Sequence, residues 1–163
     1  MTCTEFDGYI CIDNVTDLDL RQTLDCGQSF RWTENADGSF DGIAFGKKVR
    51  VRLDGERLER LYIENSNKAD FESIWKDYFD LELDYGKIRE QISEIHPVLK
   101  EAAKYAPGIR ILRQEPYEAL CTFIISQNNQ GHCSKTLRKL RRRNFSRRFC
   151  FSYTAKNGRT FSR

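Results

Sequence analysis

Three groups of residues in this 163-residue sequence have types and spacing that could do chemistry. The first is sulfur and imidazole: Cys3, Cys11, Cys26, Cys121, Cys133 and Cys150, with His96 and His132. No two cysteines form a C-x-x-C pair, and neither histidine is spaced to complete a ligand set. Zinc needs ligands at close, repeated spacing, so no metal site is expected, and no other cofactor. The second group is the glycine-led string Gly27-Gln28-Ser29-Phe30-Arg31-Trp32. The third is the amide run Ser126-Gln127-Asn128-Asn129.

Charge separates the chain into two parts of opposite character. From Cys133 to Arg163 there are 11 Lys and Arg and no Asp or Glu, including Arg138-Lys139-Leu140-Arg141-Arg142-Arg143. All 24 acidic residues lie earlier, against 16 basic ones. Such a basic run attracts phosphate, or is simply a solvated charge run. Hydrophobic residues make up 39% of the chain and aromatics 12%, enough apolar material for a packed core. The first residues lack a basic segment followed by an apolar run, and no apolar stretch approaches the ~20 residues that span a bilayer. The expectation is a cytoplasmic protein with free thiols and no membrane partner, nucleoid-associated in a bacterium.

The elements that must position these groups are legible from turns and periodicity. Residues 1–65 read as β. Asp7-Gly8, Asp37-Gly38, Asp41-Gly42 and Asp54-Gly55 read as turns between runs of strand formers. Those runs are Ser29–Thr33, Phe40–Phe45, Val49–Leu53 and Leu61–Ile63. A short helix through Leu18, Leu20 and Leu24 interrupts them, capped by Thr16 or Asp17 and ending near Gly27. Residues 66–129 read as α. Ser66 or Asn67 caps a helix with Phe71, Ile74, Trp75 and Tyr78 on one face. Tyr85, Ile88, Ile92 and Ile95 mark a second helix, Pro97 opens a third, and Glu115-Pro116 opens a fourth carrying Leu120, Phe123 and Ile124. Both apolar faces, Phe71/Ile74/Trp75/Tyr78 and Leu120/Phe123/Ile124, are expected to be buried. The fold class is α+β: a twisted antiparallel sheet followed by helices.

Two segments resemble one family. Thr23–Trp32 contains G-Q-S-F-R-W, and Gly108–Asn129 is similar to R-L-L-R-Q-(D/E)-P followed by F-I-x-S-x-N-N-N-I-x-R-I. Both are similar to the 8-oxoguanine DNA glycosylase family, in the right order and at the right separation, over residues 1–129. Tyr78-Phe79-Asp80-Leu81 resembles that family's link between domains. The resemblance implies a TBP-like N-terminal domain at residues 1–80 and the start of a helix-hairpin-helix glycosylase domain at 81–130. It also implies an activity: removal of oxidised guanine from double-stranded DNA containing 8-oxoguanine opposite cytosine, by a monomeric glycosylase with lyase activity. In that chemistry the base is extruded from the helix and a lysine attacks the sugar to form a Schiff base.

By the same resemblance, Gly27 is the glycine whose carbonyl accepts from N7–H of the oxidised base; otherwise it is a plain turn glycine. Gln28, Phe30 and Arg31 join it as DNA-binding candidates. Phe30 is a wedge near DNA or strand core. Arg31 contacts phosphate or lies on a strand surface. Asn128 fills space around the orphaned cytosine, or caps a helix. Asn129 stands beside it, in a binding or a structural role.

The resemblance stops after Asn129. Cys133 stands where the family has an arginine, and no lysine of this chain aligns with the attacking one, so the catalytic lysine and aspartate are expected to lie beyond residue 163. Read from the third base of the Tyr153 codon, degenerate codons permit Y-G-K-E-W-K-N-F-F-P, similar to a later family stretch. Residues 131–163 are therefore expected to be a basic tail, disordered or out of frame. The chain alone is expected to be inactive and to expose apolar surface. The alternative function is a non-catalytic damaged-DNA-binding module.

Overall fold

A computed structural model of the chain describes residues 1–54 and 59–127. Contacts divide the chain into two units, Met1–Glu115 and Pro116–Arg163. The first unit is built on six antiparallel strands: β1 (Thr2–Phe6), β2 (Tyr9–Asp13), β3 (Trp32–Glu34), β4 (Phe40–Ala44), β5 (Lys47–Leu53) and β6 (Arg60–Glu64). Their order across the sheet is β1-β2-β6-β5-β4-β3. The helices are α1 (Leu20–Leu24), α2 (Lys68–Asp70) and α3 (Lys76–Tyr78) joined by a π-helical turn at Phe71–Trp75, then α4 (Tyr85–Ile95) and α5 (Pro97–Tyr105). The second unit contributes α6 (Pro116–Gln127).

Period-two alternation decides which sheet face is buried. Ile10, Ile12, Leu61, Ile63, Val49, Val51, Phe40, Ala44 and Trp32 share a core with Leu20, Leu24, Phe71, Trp75, Tyr78, Phe79 and Leu112. The indoles do not bury unpaired N–H groups: Trp32 Nε1 donates to Tyr78 OH at 2.8 Å, and Trp75 Nε1 donates to Ser66 Oγ at 2.7 Å. The opposite face carries paired charges, with Arg60 on Asp13 and Arg50 on Asp41. Arg52 lies 3.9 Å from the centre of the Tyr62 ring there. Hydrophobicity on one face and solvated pairs on the other is the antiparallel pattern expected of a sheet covered on one side.

Several local expectations shift. Asp41-Gly42 lies inside β4 rather than in a turn. The β4–β5 hairpin turns instead at Phe45-Gly46, both at positive φ (50° and 76°), as a two-residue type I′ loop requires. Asp7-Gly8 and Asp37-Gly38 do sit in connections, with Gly8 at φ 80° and Gly38 at φ 78°. Strand β3 begins at Trp32, so Ser29, Phe30 and Arg31 precede the sheet. Helix α1 is capped by Asp19, not Thr16 or Asp17: Asp19 Oδ1 accepts from Gln22 N at 2.8 Å. Asp17 sits at φ 51°, and its carboxylate pairs with Arg89 at 2.8 Å.

Asn67 caps α2 as read, accepting from Asp70 N at 2.9 Å. Phe71, Trp75 and Tyr78 are buried, with Ile74 half-buried against them. Leu120, Phe123 and Ile124 are exposed, against expectation. Asn128, Asn129, Gly55 and the basic tail lie outside the described residues. Among those described, Cys3, Cys11, Cys26 and Cys121 are free, no group of His, Cys, Asp or Glu could hold a metal, and no helix is long and apolar enough to cross a membrane.

Candidate functional site

The turn that follows α1 is braced from behind by an extended segment, residues 108–114, from far along the chain. Helix α1 is only five residues long, so its end needs tertiary partners. Thr23 supplies them: fully buried, its Oγ1 donates to Gly108 O at 3.1 Å and accepts from Arg110 N at 3.2 Å. Gly108 also approaches Asp19 backbone to backbone. Asp19 N donates to Gly108 O at 2.8 Å, and a Cβ built on Gly108 would stand 2.6 Å from Asp19 N. Only glycine permits that approach.

Gln28 makes the second set of contacts. Its Nε2 donates to Arg110 O at 2.8 Å, and its Oε1 accepts from Leu112 N at 3.0 Å. The same Nε2 lies 3.4 Å from Thr23 O and 3.3 Å from Cys26 Sγ. Gln28 O accepts from Gln114 Nε2 at 2.6 Å. Along an extended chain, the C=O of one residue and the N–H two residues later face the same side. The Gln28 amide therefore pairs with the edge of residues 110–112 as a neighbouring strand would.

Behind this pairing lies a buried cation. The Arg110 guanidinium donates to Thr16 O at 2.6 Å, Asp80 O at 2.7 Å and Asp17 O at 3.1 Å, and lies 4.5 Å from the centre of the Tyr85 ring. Burial pushes its pKa down from the usual arginine value. It remains a cation because the guanidinium does not deprotonate in proteins, and its donors are matched to carbonyls. Asp80, at φ 50°, accepts from Tyr85 OH at 2.9 Å and from Arg113 Nε at 2.9 Å. Burial first, and then the bond to Asp80, hold the Tyr85 hydroxyl above its ordinary pKa. Ile111 N donates to that hydroxyl at 3.0 Å.

In front of this frame sits Gly27. It is exposed, at φ 91°, and a Cβ built on it would meet no atom within 4 Å. The turn thus presents bare backbone to solvent. The candidates from sequence distribute unevenly around it. Gly27 is at the surface, and the Gln28 side chain is turned inward onto the protein. Phe30 and Arg31 are half-buried on the path into β3. Asn128 and Asn129 lie outside the described residues. Sequence reasoning missed Thr23, Asp80, Arg110 and Gln114 as parts of this frame. Arg110 and Gln114 lay inside a quoted motif, but a buried polar side chain leaves no mark in periodicity.

Three of the described lysines are held in ion pairs. Lys47 is paired with Asp70 at 2.8 Å, Lys76 with Glu82 at 2.8 Å and Lys104 with Glu101 at 2.9 Å. A carboxylate neighbour favours the protonated amine, and the bond to Glu82 raises the Lys76 pKa. A Schiff-base lysine needs the opposite.

Fold and site together define a class: an α+β domain with one antiparallel sheet covered on one face, whose exposed feature is a braced, glycine-led turn. Comparison with known proteins narrows it. The family described as 8-oxoguanine DNA glycosylase, N-terminal domain, matches residues 11–120. The chain belongs to that family. The N-glycosylase/DNA lyase OGG1 of Arabidopsis thaliana is 29% identical over 117 residues, covering 70% of this chain and 32% of its own length. The N-glycosylase/DNA lyase of Saccharomyces cerevisiae is 33% identical over 127 residues, covering 71% of this chain and 33% of its own. The Clostridium acetobutylicum 8-oxoguanine glycosylase/lyase, in complex with dsDNA containing cytosine opposite to 8-oxoG, matches with a TM-score of 0.77 at 40% identity. That match covers 83% of this chain and 46% of the solved one. The chain spans about a third of the length of these curated relatives.

Proposed function

We propose that this chain is the recognition portion of a glycosylase/lyase that removes 8-oxoguanine from duplex DNA opposite cytosine, and that the attacking lysine is not among its residues. The observation that carries this reading is Gly27: exposed, left-handed, without a side chain, and braced by residues 108–114. A backbone carbonyl there accepts from N7–H of the oxidised base. Normal guanine offers a lone pair instead, so two acceptors would face each other, at a cost of about 1–3 kcal/mol for a buried unsatisfied group. Discrimination by a hydrogen bond is sharp for that reason. The relative solved with 8-oxoguanine opposite cytosine supports the choice of partner.

The test uses the purified chain and two duplexes that differ only in 8-oxoguanine or guanine opposite cytosine. The expected result is tighter retention of the oxidised duplex, weakening with salt, with no released base and no covalent product under borohydride. Equal retention of the two duplexes overturns recognition by this chain. Release of 8-oxoguanine overturns the placement of the nucleophile elsewhere.

A further inference from the structure

We infer that Gln28 is a positioning residue: its side chain does not meet DNA but holds the Gly27 turn in register with residues 110–112, and so sets the preference for the oxidised base. The inference rests on the role proposed for Gly27. Three observations support it. The two ends of the Gln28 amide are both used, on Arg110 O at 2.8 Å and Leu112 N at 3.0 Å. Its main-chain carbonyl is used as well, by Gln114 Nε2 at 2.6 Å. Finally, the segment it grips is anchored independently, by Thr23 on Gly108 and Arg110 and by the Arg110 guanidinium on four carbonyls, those of Thr16, Asp17, Asp80 and Leu83. The turn is thus tied to a fixed edge through both ends of the Gln28 side chain, next to the exposed Gly27.

The chemistry restricts what can replace it. Asparagine is one methylene shorter. Alanine removes both partners. Glutamate has the length and keeps an acceptor for Leu112 N, but its charged form sets an oxygen against Arg110 O. Protonated, the same carboxyl regains a donor and can restore both bonds. Gln28→Glu should therefore fail at neutral pH and recover in acid.

The experiment uses the chain as it is, with Gln28→Ala and Gln28→Glu, and two readouts. Amide exchange reports the clamp. The Leu112 amide, which donates to Gln28 Oε1, should exchange roughly tenfold faster in Gln28→Ala, with Ile10 and Ile63 unchanged. In Gln28→Glu, protection of Leu112 relative to wild type at the same pH should return on acidification. Duplex binding reports the function: the preference for 8-oxoguanine over guanine should fall towards one, with affinity for the guanine duplex unchanged.

Unchanged exchange overturns the clamp. Faster exchange with an intact preference overturns the positioning role and leaves Gln28 a structural residue. Glutamate equal to glutamine at neutral pH overturns the need for the Arg110 bond. If wild type shows no preference, the recognition reading fails and the inferred effect on preference fails with it, while exchange still decides separately whether Gln28 holds the turn.

Discussion

Trp32 and Gly42 are direct partners on adjacent strands, and the indole occupies the space that any side chain at Gly42 would need. A Cβ at Gly42 would overlap Trp32 Cε3 and Cδ2. Trp32 has no room to retreat, being fully buried and tied through Nε1 to Tyr78 OH at 2.8 Å. Gly42→Ala should therefore destabilise the first unit by about 1–3 kcal/mol through overpacking. The expected signature is a lower urea midpoint at unchanged slope. A wild-type midpoint would mean that Trp32 moves aside freely.

Arg110→Met should be as damaging for the opposite reason, the loss of donors. Thr16 O, Asp17 O and Asp80 O each accept from this one guanidinium. Burying them without a donor costs at least about 2 kcal/mol in total. Arg110→Lys should rescue little, because an ammonium lacks the planar fork that reaches all three. Urea denaturation of both variants checks this, and near-wild-type stability of the lysine variant would sink the fork argument.

Gly27→Ala separates strain from recognition. The residue sits at φ 91°, so alanine should cost about 1 kcal/mol in backbone strain although there is space for its methyl. The sheet core should survive, and so should binding to an undamaged duplex. Selective retention of the 8-oxoguanine duplex should be lost. Wild-type selectivity in this variant would remove Gly27 from the recognition scheme.

The Asp41–Arg50 pair predicts one feature of the acid limb. The hydrogen bond from Arg50 holds the Asp41 carboxyl below its ordinary pKa. A lowered folded pKa gives stability that is present above about pH 4 and is lost as pH falls through the folded value. Both side chains are more than a third exposed, so the effect is small. Asp41→Asn should be slightly less stable than wild type near neutrality, with the gap closing in acid. A gap that is constant across this range would assign the loss to packing instead.

Helices α4 and α5 bury no residue fully, and Ile95, Val98 and Tyr105 are 72%, 67% and 90% exposed. Exposed apolar clusters promote association. The double variant Ile95→Glu, Val98→Lys should scatter less light at high protein concentration and keep the wild-type urea midpoint. A lowered midpoint would show that these side chains stabilise the monomer.

Local signals in the sequence determined most of the elements. Alternation in Val49, Val51 and Leu53 places β5, the Phe71/Trp75/Tyr78 spacing places the helical run after Asn67, and Pro97 and Pro116 open helices where they stand. Each of these depends on neighbours a few residues apart, so the chain carries them without reference to the rest of the fold. The family resemblance singled out Gly27 as a candidate in the same way, through contiguous residues. What only the tertiary structure decided are contacts between residues that lie on different elements. Asp41-Gly42 looks like a turn until Trp32 is laid across it. Gln28 looks like a ligand-facing amide until Arg110 and Leu112 arrive to use both its ends. Arg110 is one letter of a motif until the carbonyls of Thr16, Asp17, Asp80 and Leu83 surround it. In each case the side chain could have satisfied its hydrogen bonds or its volume in several ways, and the segment packed against it selected one. A hydrogen-bonding partner supplied from the other end of the chain has no periodicity to betray it.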